Sequence, residues 1–428
     1  MDSEFRWNPY ADQPHNVIPK NERFKHHIKY AESYLKLFPS NLRSAVPGLS
    51  LYRKYKRGLY CSPVEVKDPF AISVFPDEKK LEDIVSCFHD LGINQTLVRI
   101  PSWEREKLED YKKFISSLLE NGITPVVALL QNRNDVRSPS EWLRFVEDVF
   151  SCLKDHCEYF ELGHAWNRTK WGLWEYREYL ELARPVVPLA YKYRVKLVGP
   201  AVIDFEFHLY PPVLAEINFA KVSSLLYVDR VGAPENTQFG WDTPRKIALL
   251  KAIIDTCYQG GRDLWITEVN WPLKGTGVYS PASGRPNVTE EQQANYLVRY
   301  FIYALCSGHV ERIYWWQLVA PGYGLIDNRE NEWRKRPSYR AMKTMGSFLK
   351  GSTFIQKAEH PEANMFIFKK GSESFAACWT KKHSVDYSFP CRVIKAFDRN
   401  GKTIEITANK IRINESPQYA FFEERVNK

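Results

Sequence analysis

The chain has 428 residues, of which 44% are hydrophobic and 26% charged, and its formal net charge is +9. These are the values of a globular protein, so they exclude a wholly disordered chain and a fibrous repeat. The sequence has no run of about 18 apolar residues and no apolar core of a secretory signal, and its eight cysteines form no CxxC pair. A cytoplasmic protein with free thiols is therefore expected.

The positive charge lies mostly in the N-terminal region. Between positions 20 and 60 there are ten Lys or Arg residues and two acidic residues. Apolar residues recur there at roughly helical spacing, so residues 1–67 are predicted to form a basic helical extension. This extension either packs on the main domain with its charged side in water, or lies on an anionic membrane surface as a peripheral element at the inner membrane. Nucleic acid is not an expected partner, because no recognition motif follows the basic stretch.

Residues 68–350 alternate short apolar runs with longer amphipathic segments, a pattern that predicts parallel strands joined by helices. Eight strands over about 250 residues is the usual size of a (β/α)8 TIM barrel. A doubly wound sheet is the alternative, but polar and aromatic residues cluster just after the strand ends, which favours the barrel. The predicted strands are residues 70–75, 96–100, 123–130, 159–163, 196–202, 225–232, 264–268 and 312–317. The predicted helices are residues 77–91, 104–120, 140–154, 174–193, 243–259 and 290–307.

Residues 351–428 follow a different pattern. One further helix ends near residue 349, and short alternating strands are predicted after it, at 365–369, 374–379, 392–397, 403–407 and 419–423. A turn at residues 398–401 has the composition of a hairpin connection. The sequence thus predicts a small C-terminal β-sandwich behind the barrel.

The strongest chemical signal is Glu268, which ends the seventh predicted strand between Trp265 and Trp271. A carboxylate at this end of a barrel can attack an anomeric carbon, while an indole ring covers the apolar face of a sugar. The alternative is a buried ion-pair partner with no chemical role.

Two further segments extend this pattern. Glu161-Leu-Gly-His164-Ala165-Trp-Asn167 follows the fourth strand, and Tyr-Trp315-Trp-Gln317 forms the eighth. Together with the Glu268 segment they resemble the clan A glycoside hydrolases, in particular the β-xylosidase-related families that carry a C-terminal β-sandwich. The resemblance covers roughly residues 68–425, and it implies a retaining glycosidase or transglycosidase with a catalytic Glu after strands four and seven.

This sequence departs from that family at the acid/base. The family's fourth strand ends in Gly-Asn-Glu, and the matching positions here are His164 and Ala165. A methyl group cannot transfer a proton, so the acid must be absent or relocated. Glu235, after the sixth strand, is the first candidate; His164 is the second, and Asp204 or Glu206 is the third.

Residues at the predicted strand ends are candidates for substrate binding, because amides recognise hydroxyl groups and flat rings cover sugar faces. They are Arg99, Trp103, Gln131, His164, Trp166, Asn167, Trp171, Trp271, Trp315, Gln317 and Tyr323. Core packing is the alternative for some of them, since adjacent strand residues point to opposite faces. No metal or other cofactor is expected, because the histidines are scattered.

Two functions follow as hypotheses. The first is a glycoside hydrolase-like enzyme that acts on a glycan or glycoconjugate, such as a cell-envelope polysaccharide or lipopolysaccharide precursor, with Glu268 as nucleophile and a nonstandard acid. The second is a catalytically inactive pseudoenzyme that binds carbohydrate or serves as a scaffold in glycan assembly. Ala165, at the position of the usual acid, is the reason for this hypothesis.

Overall fold

The structure is a computed structural model that describes residues 5–14, 25, 28–229, 232–259, 261–280, 287–330 and 332–423. The N-terminal region contains a short antiparallel hairpin, β1 (Trp7–Asn8) and β2 (Gln13–Pro14), the long helix α1 (Ala31–Gly58) and strand β3 (Val64–Val66). Helix α1 packs on the outside of the main domain through Tyr52, whose ring centroid lies 4.9 Å from that of Trp241. The Tyr55 hydroxyl donates to Asp255 over 2.6 Å.

The main domain is a closed barrel of eight parallel strands, as the sequence pattern predicts. Each strand pairs with the next along the chain, and the eighth pairs with the first. The strands are β4 (Phe70–Val74), β5 (Gln95–Pro101), β6 (Thr124–Leu130), β7 (Tyr159–Leu162), β8 (Lys196–Ile203), β9 (Lys221–Leu225), β10 (Leu264–Val269) and β11 (Val310–Trp315).

Strand alternation divides the apolar core into two layers. Leu97 and Val126 belong to a cluster inside the barrel, whereas their neighbours Val98 and Val127 belong to the larger cluster between the barrel and its helices. This follows from the two-residue period of a strand. The helices are α2 (Leu81–Leu91), α3 (Leu108–Glu120), α4 (Arg133–Arg137), α5 (Pro139–Leu153), α6 (Tyr176–Ala183), α7 (Val186–Tyr193), α8 (Tyr210–Leu214), α9 (Thr243–Cys257), α10 (Glu290–Leu305) and α11 (Pro337–Leu349).

Helix α5 shows why these segments are helical. Pro139 occupies its first turn, where a missing N–H has no cost. Trp142, Phe145, Val146 and Val149 are buried at helical spacing and face the barrel. Its other positions are more polar, so one stripe of the helix is apolar and packs inward.

The C-terminal region is a two-sheet structure. The short strands β12 (Ile326–Asp327) and β13 (Arg334–Lys335) precede it as a separate pair. The region's strands are β14 (Ser352–Ala358), β15 (Ala363–Lys370), β16 (Glu373–Thr380), β17 (Val385–Ser388), β18 (Val393–Phe397), β19 (Lys410–Ile413) and β20 (Gln418–Phe422). Strands β17 and β19 pair with each other, and the others form one sheet that β3 joins at its edge beside β14. Residues 64–66, which the sequence assigned to the N-terminal extension, therefore complete the C-terminal sheet.

Three predicted elements differ from the structure. The sixth barrel strand ends at Leu225, where it was predicted to begin, because the apolar residues 226–228 are buried in a loop after the strand. The predicted helix 174–193 is two helices, since Pro185 separates α6 from α7. Residues 403–407 form no strand of their own, and β19 follows them instead.

Candidate active site

Glu268 lies at the C-terminal end of β10 and forms the floor of a cleft at the barrel mouth. One carboxylate oxygen accepts a hydrogen bond from an Arg99 guanidinium nitrogen and the other from the Tyr227 hydroxyl. His164 Nε2 lies 3.4 Å from the oxygen that Arg99 contacts. Both oxygens are thus held by hydrogen bonds, one of them charge-assisted, and these bonds fix the carboxylate in the cleft.

His164 is a neutral hydrogen-bond acceptor in this arrangement. Burial, together with the nearby Arg99 charge, lowers the pKa of its imidazole well below the ordinary value. Arg99 Nη2 lies 3.0 Å from Nε2 and can only donate, so Nε2 accepts and the ring proton is on Nδ1. The turn that brings His164 into the cleft requires Gly163, which has φ of +79°, and a Cβ there would lie 2.9 Å from the Tyr179 ring.

A second buried carboxyl group lies near Glu268. Glu161 is on β7 inside the barrel, and burial raises the pKa of its carboxyl to about 7. The group is therefore largely neutral below that pH.

The loop after β9, which carries Tyr227 to Glu268, is held in place by a lysine of helix α9. The buried Lys246 of α9 donates to the Val228 carbonyl over 2.8 Å and to the Gln238 side chain over 2.9 Å. Burial lowers the pKa of this amine to about 8. The loop that carries Tyr227 is thus anchored to helix α9 at Val228, the residue that follows the tyrosine.

Trp316, directly after β11, forms one wall of the cleft. The Arg99 guanidinium carbon lies 3.2 Å from the centroid of the Trp316 ring, so the arginine is held between an indole face and Glu268. On the other side, the Trp171 ring contacts His164 edge-on at 4.5 Å between centroids. The two indoles provide flat apolar surfaces on either side of the carboxylate.

The loop that follows Trp316 is held by the buried Arg336. Its guanidinium donates to the carbonyls of Ala320 and Gly324, each over 2.8 Å, and to that of Pro321 over 2.6 Å. The Ala320 carbonyl also accepts from the Gly324 N–H, so Arg336 adds a second donor there and binds the carbonyls of Gly324 and Pro321 as well.

Replacing Arg336 by Met is expected to lower the free energy of unfolding by about 3 to 5 kcal/mol, because three carbonyl groups lose a donor and buried Asp327 loses a charge partner 3.1 Å away. Arg334→Met is the matched control, since Arg334 is half-exposed and pairs only with Glu290 and Asp327. Its expected cost is about 1 kcal/mol or less. Urea unfolding measures both; equal losses would contradict this role of Arg336.

An N-terminal segment, residues 5–14, lies across the mouth of the cleft. Trp7 packs its ring on Trp103 at 5.2 Å and on Trp171 at 6.0 Å, and the Tyr323 hydroxyl donates to the Ala11 carbonyl over 3.4 Å. This segment places Asp12 Oδ2 at 3.7 Å from Arg99 Nη1.

Asp12 shares the Arg99 guanidinium with Glu268. Burial raises the pKa of the Asp12 carboxyl to about 6, although the Arg99 charge opposes the rise, and the charge of Glu268 adds to it. Asp12 Oδ2 is buried and accepts no hydrogen bond within the described part of the chain. Below about pH 6 the Asp12 carboxyl is therefore largely protonated.

Five of the predicted substrate-binding residues come together in or beside this cleft. Arg99, His164, Trp171 and Tyr323 line it. Gln131 lies beneath, where its amide group donates to the carbonyls of His164 and Trp171 and accepts from the His164 N–H. Gln131 thus orients the backbone of two cleft residues.

The other six candidates lie outside the cleft lining. Trp166 is stacked on Tyr179 in the core, and Asn167 bonds the Ile203 backbone and Glu206. Trp271 and Trp315 are stacked on each other, with 6.1 Å between their ring centroids. Gln317, two residues after Trp315 in the sequence, is also buried. Trp103 holds the N-terminal segment through Trp7. Strand alternation directs Trp315 to the core and Trp316 to the cleft, so the core-packing alternative describes the position of Trp315.

The predicted acids are also placed elsewhere. Glu235 is buried against the C-terminal sheet, where it accepts from the Trp379 indole over 2.6 Å and lies 3.5 Å from Arg299. Asp204 and Glu206 both pair with Arg168. These carboxylates compensate cations or indole donors outside the cleft, so none of the three is brought to Glu268.

Several residues that line the cleft are not among the substrate-binding candidates given above. Asp12, Tyr227, Asn270 and Trp316 are four of them. Trp316 and Asn270 are neighbours of predicted residues, so strand register could have found them. Tyr227 was placed inside a strand, and Asp12 belongs to a segment in which no sequence pattern pointed to the barrel mouth.

Three structural comparisons describe what the fold is similar to. A family 39 glycoside hydrolase from the gut symbiont Bacteroides cellulosilyticus WH2 is 16% identical, with a TM-score of 0.66 over 83% of this chain and 81% of that one. A GH30 endoxylanase from Clostridium papyrosolvens C71 is 11% identical, with a TM-score of 0.58 over 85% and 98%. The GH51 arabinofuranosidase from Xanthomonas axonopodis pv. citri is 13% identical, with a TM-score of 0.53 over 86% and 94%.

These neighbours show a glycoside hydrolase-like fold that is consistent with clan A. No family model and no curated protein matches the sequence. At identities this low the likeness concerns the fold and not the chemistry, which has to be argued from the site. Within the described residues, no helix is long and apolar enough to span a bilayer, and no group of three His, Cys, Asp or Glu side chains is arranged to hold a metal ion.

Proposed function

We propose that the chain is a retaining glycoside-cleaving enzyme in which Glu268 is the nucleophile. The observation that supports this most is the paired hydrogen bonding of the Glu268 carboxylate by Arg99 and Tyr227 on the floor of the cleft. Such bonds fix the position of the carboxylate in the cleft, and a fixed carboxylate is what attack on an anomeric carbon requires.

The acid/base in this proposal is Asp12. Ala165 occupies the position where the resembling families have their acid, and it is fully buried in an apolar cluster with Trp171 and Tyr227. Asp12 enters the same cleft from the opposite side, on the N-terminal segment. In the described part of the chain it is the only carboxyl group besides Glu268 that lines the cleft.

The N-terminal segment acts as a lid in this account. With the segment in place, the cleft has a volume of about 70 Å³. Sites for small-molecule ligands are usually about 300 to 1,000 Å³, so a saccharide enters only when residues 5–14 move outward. Closure of the segment over the bound sugar, in a more open position than the one it holds here, then brings Asp12 to the glycosidic oxygen and excludes water, as catalytic lids do in other enzymes.

The reaction proceeds in two balanced steps. In the first, a Glu268 oxygen attacks the anomeric carbon while protonated Asp12 gives its proton to the glycosidic oxygen. The leaving group departs as an alcohol, and the sugar remains as a glycosyl ester of Glu268. In the second, ionised Asp12 takes a proton from water as that water attacks the anomeric carbon. Glu268 is released, Asp12 is protonated again, and the sugar retains its anomeric configuration.

The surroundings support a sugar as the substrate. Trp171 and Trp316 place indole rings beside Glu268, and Asn270 offers an amide at the cleft wall. Arg99 and Lys170 line the cleft together with the carboxyl groups of Glu268 and Asp12, so cations and acids are equal in number in the described lining.

A carbohydrate-binding protein without turnover is the second candidate. Two observations favour it: Ala165 at the usual acid position, and the lid that fills the cleft. Incubation with a panel of aryl glycosides, followed by proton NMR of the first sugar released, separates the candidates. Release with retained configuration supports the enzyme, inverted product contradicts the nucleophile, and saturable binding without release supports the second candidate.

A further inference from the structure

Helix α1 carries a row of exposed apolar side chains on its outer face. Leu35 is 73% exposed, Phe38 67% and Val46 76%. At about 100° per residue, these three positions, with exposed Leu42 and Leu49, fall within an arc of about 80°. Folded proteins seldom expose an unbroken apolar row of this kind, and one that does marks an interaction surface.

The same helix already has a separate face that holds it to the barrel. Leu37, Gly48 and Tyr52 are buried, and they face α9 and the loop before α8. Asn41 donates to the His208 carbonyl over 2.9 Å on this side. The apolar row is therefore not needed to attach α1 to the domain, and it points away from it.

Cations flank the apolar row. Lys36, Arg43 and Lys54 fall within an adjacent arc of about 20°, Lys29 lies just before the helix, and Arg53, Lys56 and Arg57 extend the positive charge at its end. Between residues 28 and 58 the sequence has one acidic side chain, Glu32, which lies 2.6 Å from Lys36.

We propose that this outer face of α1 binds an anionic membrane surface. An apolar row beside a basic row is what an interfacial helix needs, because the first inserts among acyl chains while the second meets the anionic headgroups. A second copy of the chain is a poorer partner, since pairing two such helices would bring their like charges together. Charge complementarity thus selects lipid over a second copy.

Binding through this face would set the orientation of the cleft. Tyr30, just before α1, has its ring 6.2 Å from Trp174 in the loop after β7, on the mouth side of the barrel. Tyr55, near the other end, has its ring 4.7 Å from His309, just before β11, on the opposite side. The helix therefore runs from the barrel mouth to its base, and a membrane along it would lie beside the cleft rim. If the proposed function holds, a saccharide linked to lipid could enter from there.

The test is co-sedimentation of the full chain with vesicles of phosphatidylglycerol and phosphatidylcholine, and with vesicles of phosphatidylcholine alone. We expect binding to the anionic vesicles that weakens with added salt. Replacing Leu35, Phe38 and Leu42 together by Gln is expected to weaken that binding by about tenfold or more. Replacing Lys29, Arg43 and Lys54 together by Gln is expected to weaken it about fivefold per cation removed.

The matched control replaces Tyr191, Phe239 and Val278 by Gln, because these side chains are equally exposed but lie elsewhere on the surface. It should bind as the unaltered chain does. No binding at low salt, equal binding to both vesicle types, or equal loss in the control would overturn the proposal. So would a dimer in the absence of vesicles that the Leu35, Phe38 and Leu42 variant abolishes, since the partner would then be a second copy. None of these readouts depends on glycoside turnover, so they stand apart from the proposed function.

Discussion

Glu268→Gln is expected to abolish glycoside turnover, with kcat/KM lowered by about 10⁴-fold or more. An amide cannot form the glycosyl ester, whereas the side chain keeps its size and can still accept from Tyr227. Binding of the product sugar, measured by calorimetry, should change far less than turnover. Comparing the turnover of an aryl glycoside with the calorimetric binding of the product sugar therefore separates loss of the nucleophile from loss of the cleft.

Glu235→Gln is the control for this prediction. Glu235 is also a buried glutamate, but it accepts from Trp379 at the C-terminal sheet, and the amide oxygen can still do so. We expect its kcat/KM to stay within a few-fold of the unaltered enzyme. Full activity in Glu268→Gln, or equal loss in both variants, would contradict the assignment of Glu268.

Asp12→Asn is expected to slow the first chemical step by about 10²- to 10⁴-fold on substrates with a poor leaving group, because the amide cannot supply the proton. Substrates with a good leaving group need little acid help, so their first step should be nearly unchanged. The pH profile gives a second readout. Since burial raises the pKa of Asp12 to about 6, the proton is present below that pH and lost above it. Turnover of poor-leaving-group substrates should therefore fall as the pH rises through about 6, and this fall should disappear in Asp12→Asn.

Two variants make the Asp12 prediction falsifiable. Asp204→Asn alters a carboxylate that pairs with Arg168 outside the cleft, and it should leave the pH profile unchanged. Deletion of residues 1–14 should lower turnover as Asp12→Asn does. Increased turnover in the deleted chain would instead mean that the segment only obstructs the cleft and that Asp12 is not the acid.

Much of the fold could be predicted because it depends on local periodicity. The barrel strands alternate with amphipathic helices, and only the sixth strand was misplaced. That error has a physical source: Leu226 and Val228 are as deeply buried as strand residues, but they lie in a loop, and apolar composition does not distinguish the two. The addition of β3 to the C-terminal sheet is a long-range pairing that no local pattern encodes.

The candidate site was predictable only where it sits on a strand end. Glu268, Arg99 and His164 follow directly from strand order, because the carboxyl ends of parallel barrel strands meet at one face. Asp12 reaches the cleft because the ring of Trp7, on the same segment, packs on Trp103 and Trp171. These are tertiary contacts between residues that lie far apart in the sequence. Glu235 lies away from the cleft for a similar reason, since its partners are Trp379 of the C-terminal sheet and Arg299 of helix α10, both far from it in the sequence.

The measurement that tests the central claim most directly is intact-mass spectrometry after incubation with a panel of activated 2-deoxy-2-fluoro glycosides. Their leaving groups depart without acid help, and the fluorine slows breakdown of the glycosyl ester, so the intermediate accumulates. We predict a covalent adduct whose peptide mapping places the sugar on Glu268, and no adduct in Glu268→Gln. An adduct on another residue, or none across hexoses, pentoses and uronic acids in a chain shown to bind one of those sugars, would contradict Glu268 as the nucleophile.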